Sequence, residues 1–130
     1  MSGSYAFHVA LVGCGGFIGS SLRFMVNGWV HTALPSATFP YGTLVVNVLG
    51  CLSIGILGGL ADLRQALDPA QRLFLMTGVL GGFTTFSAFA YETLSLTRHV
   101  DITSALANVA LQVVLGIGAA WLGYAATHGV

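Results

Sequence analysis

"GGFTTFSAF", residues 81–89, places two glycines, two threonines, one serine and three phenylalanines in nine positions of a strongly hydrophobic chain. A helix buried in lipid does not favour that composition. Paired glycine lowers helix stability, and each threonine or serine hydroxyl needs a partner that hydrocarbon cannot supply. Irregular backbone at membrane depth is tolerated only where it faces protein or a water-filled cavity. The stretch therefore reads as the middle of a membrane helix that breaks and restarts, with the restarted half presenting phenylalanines.

The rest of the chain supplies the membrane context. Of 130 residues, 55% are hydrophobic and only 6% charged, the mean hydropathy is +0.86 and the formal net charge is zero. Soluble domains carry about 25% charged residues, so this chain cannot cover its own surface in water. Four hydrophobic blocks stand out, at about 7–30, 41–61, 72–96 and 102–127. Each exceeds or approaches the roughly 20 apolar residues needed to cross a bilayer. Spans of that length satisfy their backbone internally only as helices. The first block has no basic flank and is followed by three comparable spans, so it is not expected to be a cleaved signal peptide.

Connections are short, and the chain reads as a single four-span domain over 1–130. Pro40 suits the first helical turn of the second span. Asp68–Pro69 is an N-cap followed by an N1 proline for the third, and Asp101 is a candidate N-cap for the fourth.

Lysine is absent, and the four arginines are Arg23, Arg64, Arg72 and Arg98. With four spans, Arg64 and Arg72 fall on one side of the membrane, Arg23 and Arg98 on the other. An even split gives the positive-inside rule nothing to act on. Insertion in both orientations, and hence an antiparallel homodimer, is the expectation; a fixed orientation that four arginines are too few to reveal is the alternative. Gly15/Gly19 and Gly55/Gly59 are small-xxx-small pairs fit for close helix packing. Cys14 and Cys51 have no metal-ligand spacing and read as small buried apolar residues.

Polar residues inside the spans recur at four-residue steps. Thr43 and Asn47 share a face of the second span, and Ser104, Asn108, Gln112 and Gly116 form a stripe along the fourth. A single amide in a membrane helix is more often interhelical glue, but two matched stripes look like the lining of a narrow polar path. The lining consists of neutral donors. Carboxylate rings mark cation pores, whereas uncharged donors can replace the hydration shell of a small anion. Donors alone do not exclude water or a neutral solute. Phe83, Phe86 and Phe89 repeat every third residue, which is ordinarily core packing; held edge-on beside a dry path, their positive ring edges would also help an anion along. An unwound turn before them exposes carbonyls suited to a hard cation such as Na⁺.

"PYGTLVVNVLG" in the second span, "GVLGGFTTFSAFAYET" in the third and "GSSLRF" in the first together resemble the Fluc/CrcB family of fluoride channels. The likeness covers all four spans. It implies an all-α, antiparallel, dual-topology homodimer with two pores, passively exporting cytoplasmic F⁻ across the inner (plasma) membrane. Asn47 matches the family's pore asparagine, and Phe86 and Phe89 match its pore phenylalanines. With Thr43, Ser87, Asn108 and Gln112 these make up the expected fluoride pathway. Gly81 and Thr84 match the positions whose carbonyls hold a central, non-transported Na⁺. In the fourth span the family usually shows hydroxyls and often a tyrosine, where this chain has Asn108, Gln112 and Gly116. The expected partners are fluoride, a second copy of the chain and membrane lipid, and not nucleic acid.

Two rivals remain. Glu92 is the single acidic residue inside a span, a default functional candidate, and a proton-coupled small dual-topology transporter would use it. A structural subunit would leave the two polar stripes unexplained. An enzyme is not expected: no nucleophile–base arrangement, metal cluster or phosphate loop is visible, and His8, His31, His99 and His128 fall near segment ends.

Overall fold

Local capping chemistry sets where the helices begin. In a computed structural model describing residues 3–63 and 66–128, with the side chains of Leu63 and His128 left aside, four helices are long and apolar enough to cross a membrane. These are Gly3–Ala33, Tyr41–Asp62, Pro69–His99 and Ile102–Thr127. Among the described residues the protein is all-helical; Arg64 lies outside them.

Helix α1 is Gly3–Ala33 and α2 is Tyr41–Leu63. Pro40 precedes α2 rather than sitting in its first turn, and its carbonyl accepts the Leu44 N–H at 3.2 Å, the bond expected of an N-cap. The third span opens with α3 (Pro69–Arg72). There Asp68 accepts the Gln71 N–H at 2.8 Å and the Gln71 side chain accepts the Asp68 N–H at 3.0 Å, a reciprocal capping box with proline at N1. It continues through a π-helical stretch, Leu73–Leu80, into α4 (Gly81–Phe83) and then α5 (Phe86–His99). Helix α6 is Ile102–His128. Asp101 caps it, accepting the Ser104 N–H at 2.7 Å and the Ser104 hydroxyl at 2.9 Å. These bonds, the backbone one foremost, hold the Asp101 carboxyl below its ordinary value of 3.8. The Ser104 N–H and hydroxyl are thus both given to the helix start.

Glycines bring the long helices together. Helix α1 lies on the π-helical stretch and α4, and α2 lies along α6. A Cβ on Gly15 would meet the Phe74 carbonyl at 2.6 Å, and one on Gly19 would collide with the Val79 carbonyl. On the other pair, Gly55 leaves no room beside the Ala120 carbonyl, nor does Gly59 beside the Thr127 hydroxyl. Both small-xxx-small pairs therefore sit at helix crossings, against backbone at Gly15, Gly19 and Gly55 and against the Thr127 side chain at Gly59.

Little of the apolar surface is internal. Val46, Ala61, Leu96 and Ala105 are buried, whereas Phe24 is 81% and Phe17 is 74% exposed. Water does not tolerate so continuous an apolar exterior, and with four spanning helices the chain is a multi-pass membrane protein. Two local expectations change. Cys14 is exposed on the chain's outer face and Cys51 is half-buried, so Cys14 is not an internal packing residue. Arg23 is not near the end of its helix, because α1 runs ten residues further, to Ala33. Its guanidinium donates to the Thr84 carbonyl at 3.4 Å, at the middle of the third span.

Candidate functional site

Two extended residues organise the centre of the molecule. Thr84 (φ −80°, ψ 159°) and Thr85 (φ −151°, ψ 113°) separate α4 from α5. The Thr84 N–H and hydroxyl both donate to the Leu80 carbonyl, at 3.0 and 2.9 Å. Thr85 is the N-cap of α5, its hydroxyl accepting the Ala88 N–H at 3.1 Å. A buried residue in extended geometry leaves its own N–H and C=O in need of partners. Asn47 of α2 supplies both: its Oδ1 accepts the Thr85 N–H at 2.9 Å, and its Nδ2 donates to the Thr85 carbonyl at 3.1 Å. The same Nδ2 donates to Gln112 Oε1 of α6 at 3.0 Å. Three helices are thereby joined through one amide.

A cavity of about 390 Å³ adjoins this cluster, lined by Asn47, Gly50, Cys51, Ile54, Met76, Leu80, Gly81, Thr84, Thr85, Phe86, Phe89, Gln112 and Val113. Phe86 and Phe89 meet edge to face, with ring centroids 5.4 Å apart. Phe86 is 78% exposed, so it is not a core residue of the single chain. Of the residues expected from the sequence, Asn47, Phe86, Phe89, Gln112, Gly81 and Thr84 share this wall. Ser87 is exposed beside them, its hydroxyl 3.3 Å from that of Thr85.

Thr43 belongs to a second cavity of about 380 Å³ between α1, the following loop, the start of α2 and α5, together with Asn27, His31, Thr38, Tyr41 and Glu92. The Thr43 hydroxyl donates to Glu92 Oε1 at 2.7 Å. Asn108 lines neither cavity. It is fully buried and donates to the Thr93 hydroxyl at 2.9 Å, which donates in turn to the Phe89 carbonyl at 2.8 Å. Asn108 is therefore tied to the turn that carries Phe89 rather than standing open on a path.

Buried side-chain polar atoms without a partner are uncommon in folded proteins and call for an explanation. Among the described residues there are four, Asn27 Oδ1, Glu92 Oε2, Asn108 Oδ1 and Gln112 Nε2. Asn27 and Glu92 line the second cavity, and Gln112 lines the first. Polar capacity that the chain does not satisfy internally is thus concentrated where small polar species would be met. No group of three or more His, Cys, Asp or Glu able to hold a metal occurs among the described residues.

Sequence reasoning passed over Thr85, Thr93 and Asn27. Thr85 had a usable signal, a threonine three residues ahead of Ala88 at the start of a new helix. Thr93 had a weaker one, its four-residue spacing from Phe89. Asn27 had none, because what it meets, Gly42 of α2 and a cavity shared with Thr43 and Glu92, lies far along the chain.

Comparison with known proteins is consistent along most of the chain. The family model described as "CrcB-like protein, Camphor Resistance (CrcB)" matches residues 10–124. The fluoride-specific ion channel FluC of Methylobacillus flagellatus is 44% identical over 118 residues, covering 91% of this chain and 92% of the relative. That of Rhizobium meliloti is 43% identical over 118 residues, covering 91% and 94%. That of Syntrophotalea carbinolica is 45% identical over 119 residues, covering 89% and 94%. With a match over nearly its full length and its four spans, the chain belongs to the CrcB family.

Proposed function

We propose that the protein is a fluoride-selective channel of the inner (plasma) membrane, through which cytoplasmic F⁻ leaves passively and fluoride toxicity is relieved. It is not an enzyme, in keeping with relatives named as ion channels. The observation that carries this reading is the meeting of amide groups and phenylalanine rings on one cavity wall, Asn47, Gln112, Phe86 and Phe89, with no formal charge among them. Neutral donors and ring edges offer positive potential to a small anion without holding it as an ammonium would. The proton-coupled carrier that would use Glu92 is not adopted, since relatives covering the chain carry the name of channels.

The working unit we propose is an antiparallel homodimer with two pores. Its support is the exposure of Phe86 on a single chain and the small arginine bias, Arg64 and Arg72 on one side against Arg98 on the other with Arg23 held at mid-span. Thr84 and Thr85 are, in this reading, the breakpoint of the third span. A structural Na⁺ on the dimer axis, not transported, would be held by the carbonyls of Gly81 and Thr84. These residues fit such an ion. The Thr85 N–H, which would close an α-helical bond to the Gly81 carbonyl, is given to Asn47 instead. Among the described residues the Thr84 carbonyl accepts a long bond from Arg23, at 3.4 Å. Hard carbonyl oxygens suit Na⁺, and the ion would tie the two copies together at their extended segments.

The test is efflux from liposomes loaded with fluoride or with chloride and reconstituted with the purified protein. Fluoride should leave down its gradient while chloride is retained. Retention of fluoride, or sustained uphill accumulation driven by a pH gradient, would refute the reading.

A further inference from the structure

We infer that the cavity between α1, the loop after it, the start of α2 and α5 is a binding site for a partly hydrated alkali cation, Na⁺ or K⁺, held by the Glu92 carboxylate and the Asn27 amide oxygen. It is separate from the cavity that carries Phe86 and Phe89, and binding there does not depend on the channel reading.

The two cavities differ in the kind of atom left over. Beside Phe86 and Phe89 the unpartnered buried atom is a donor, Gln112 Nε2, whereas here both are oxygens, Glu92 Oε2 and Asn27 Oδ1. Buried oxygens call for a donor or a positive ion, and a carboxylate repels an anion. Thr43 settles one end of Glu92. Its hydroxyl has a single hydrogen, given to Oε1 at 2.7 Å, so none remains for Oε2. Gly42 settles the Asn27 amide. A Cβ built on Gly42 would lie 2.6 Å from Oδ1, which therefore faces a carbon-bound hydrogen of that glycine. A C–H is a weak donor that suits an oxygen, and turning the amide over would set N–H against C–H. The weak contact leaves Oδ1 with capacity for a stronger partner.

Charge and room fix the class of ion. Among the described residues Glu92 is the only acidic one lining this cavity, which balances one positive charge. Calcium sites gather several carboxylates. About 380 Å³ accommodates an alkali ion with part of its water shell, each water taking roughly 30 Å³. His31 of α1 lines the same cavity and is exposed, so its imidazolium is the rival positive partner. On the channel reading, a cation held here cancels a charge that would otherwise repel an anion passing this end of α2.

Glu92 is the only glutamate of the chain, so labelling glutamate with ¹³C at the side-chain carboxyl gives one carboxylate resonance to follow. The full-length protein is taken in detergent at about pH 8, where an ordinary histidine is neutral, with N-methylglucamine as the sole buffer cation. It is titrated with sodium gluconate and, separately, potassium gluconate. The Glu92 resonance is expected to shift and saturate with at least one of the two ions. Asn27→Leu is expected to raise the half-saturating concentration at least tenfold while eluting like the parent, and Asn27→Asp, which keeps the oxygen and adds a charge, to lower it. No shift with either ion, or an unchanged half-saturation in both Asn27 variants, would overturn the site. So would a resonance that moves with pH alone and ceases to do so in His31→Gln, which would make the imidazolium the partner. Fluoride efflux is no part of this readout, so a failed channel reading and a failed cation site are told apart.

Discussion

Phe86 and Phe89 have different surroundings although they stand three residues apart. Phe89 is half-buried, with its carbonyl bonded to Thr93, whereas Phe86 is mostly exposed on the single chain. A mostly exposed ring contributes little core energy, so its replacement by another apolar side chain should leave the fold intact. What isoleucine cannot supply is the positive ring edge. Phe86→Ile and Phe89→Ile are therefore expected to purify like the parent and to lose most fluoride flux in liposomes. Wild-type rates in both variants would assign the rings to packing alone. Asn47 should behave otherwise. Asn47→Leu strands the Thr85 N–H and C=O, two buried groups at about 1–3 kcal/mol each. Its expected signature is a loss of stability of roughly 2–6 kcal/mol on that basis, visible as a lowered melting temperature before any flux is measured.

Helix crossings and helix starts carry the next tier of stability. Gly19 lies where α1 meets the carbonyl of Val79, with the Phe83 nitrogen 2.7 Å from any added Cβ, and those contacts are backbone that cannot turn aside. Gly28, on the same helix, has nothing within 4 Å. Gly19→Ala should destabilise by roughly 1–3 kcal/mol, the usual range for overpacking. Gly28→Ala should be neutral or stabilise by up to about 1 kcal/mol through helix propensity. Thermal melts of the two purified variants give the comparison, and equal melting temperatures would mean that α1 does not seat on the third span as described. The start of α6 has a pH signature. Asp101 is depressed in the folded protein by its bonds to Ser104, so its cap is fully effective above the ordinary aspartate value and is lost as pH falls through the lower, folded one. Melting temperature should fall on acidification below about pH 4, and the part due to Asp101 should be missing in Asp101→Asn. An identical acid response in parent and variant would remove Asp101 as its source.

Across the whole chain, charge is too sparse to choose an orientation. Arg72 lies at the start of the third span, with Arg64 in the segment before it in the sequence, and Arg98 lies at that span's end, while Arg23 is held at mid-span by Thr84, so the bias is a single arginine. The expected outcome is insertion both ways in comparable numbers. A reporter fused to the C-terminus should be found on both sides of the membrane in one culture, and a uniform location would exclude the antiparallel dimer. If Na⁺ joins two copies through Gly81 and Thr84, exchange of all Na⁺ for a much larger organic cation should shift the purified protein from dimer toward monomer in light scattering. A dimer indifferent to that exchange would remove the ion from its proposed structural role.

Much of this molecule was legible without coordinates because lipid imposes simple rules on sequence. A chain with 6% charged residues and four long apolar blocks has one available class of structure. Asp68 and Asp101 announced helix starts because capping is a local matter of three residues, and the motifs around Asn47 and Phe86 announced the family. Spacing along one helix tells which residues share a face. It does not tell whether a donor on that face is still free, since that depends on partners brought in by folding. Asn47 finds Thr85 across 38 positions and Gln112 across 65. Ser104, in the same stripe as Asn108 and Gln112, turns to Asp101 instead. Asn108 is buried against Thr93, and Arg23 reaches a carbonyl in another span. Only the packing of the helices against one another decided which polar groups satisfy one another and which, such as Gln112 Nε2 and Asn108 Oδ1, are left without a partner among the described residues. The reason is that a hydrogen bond saturates, and its second partner is chosen in three dimensions.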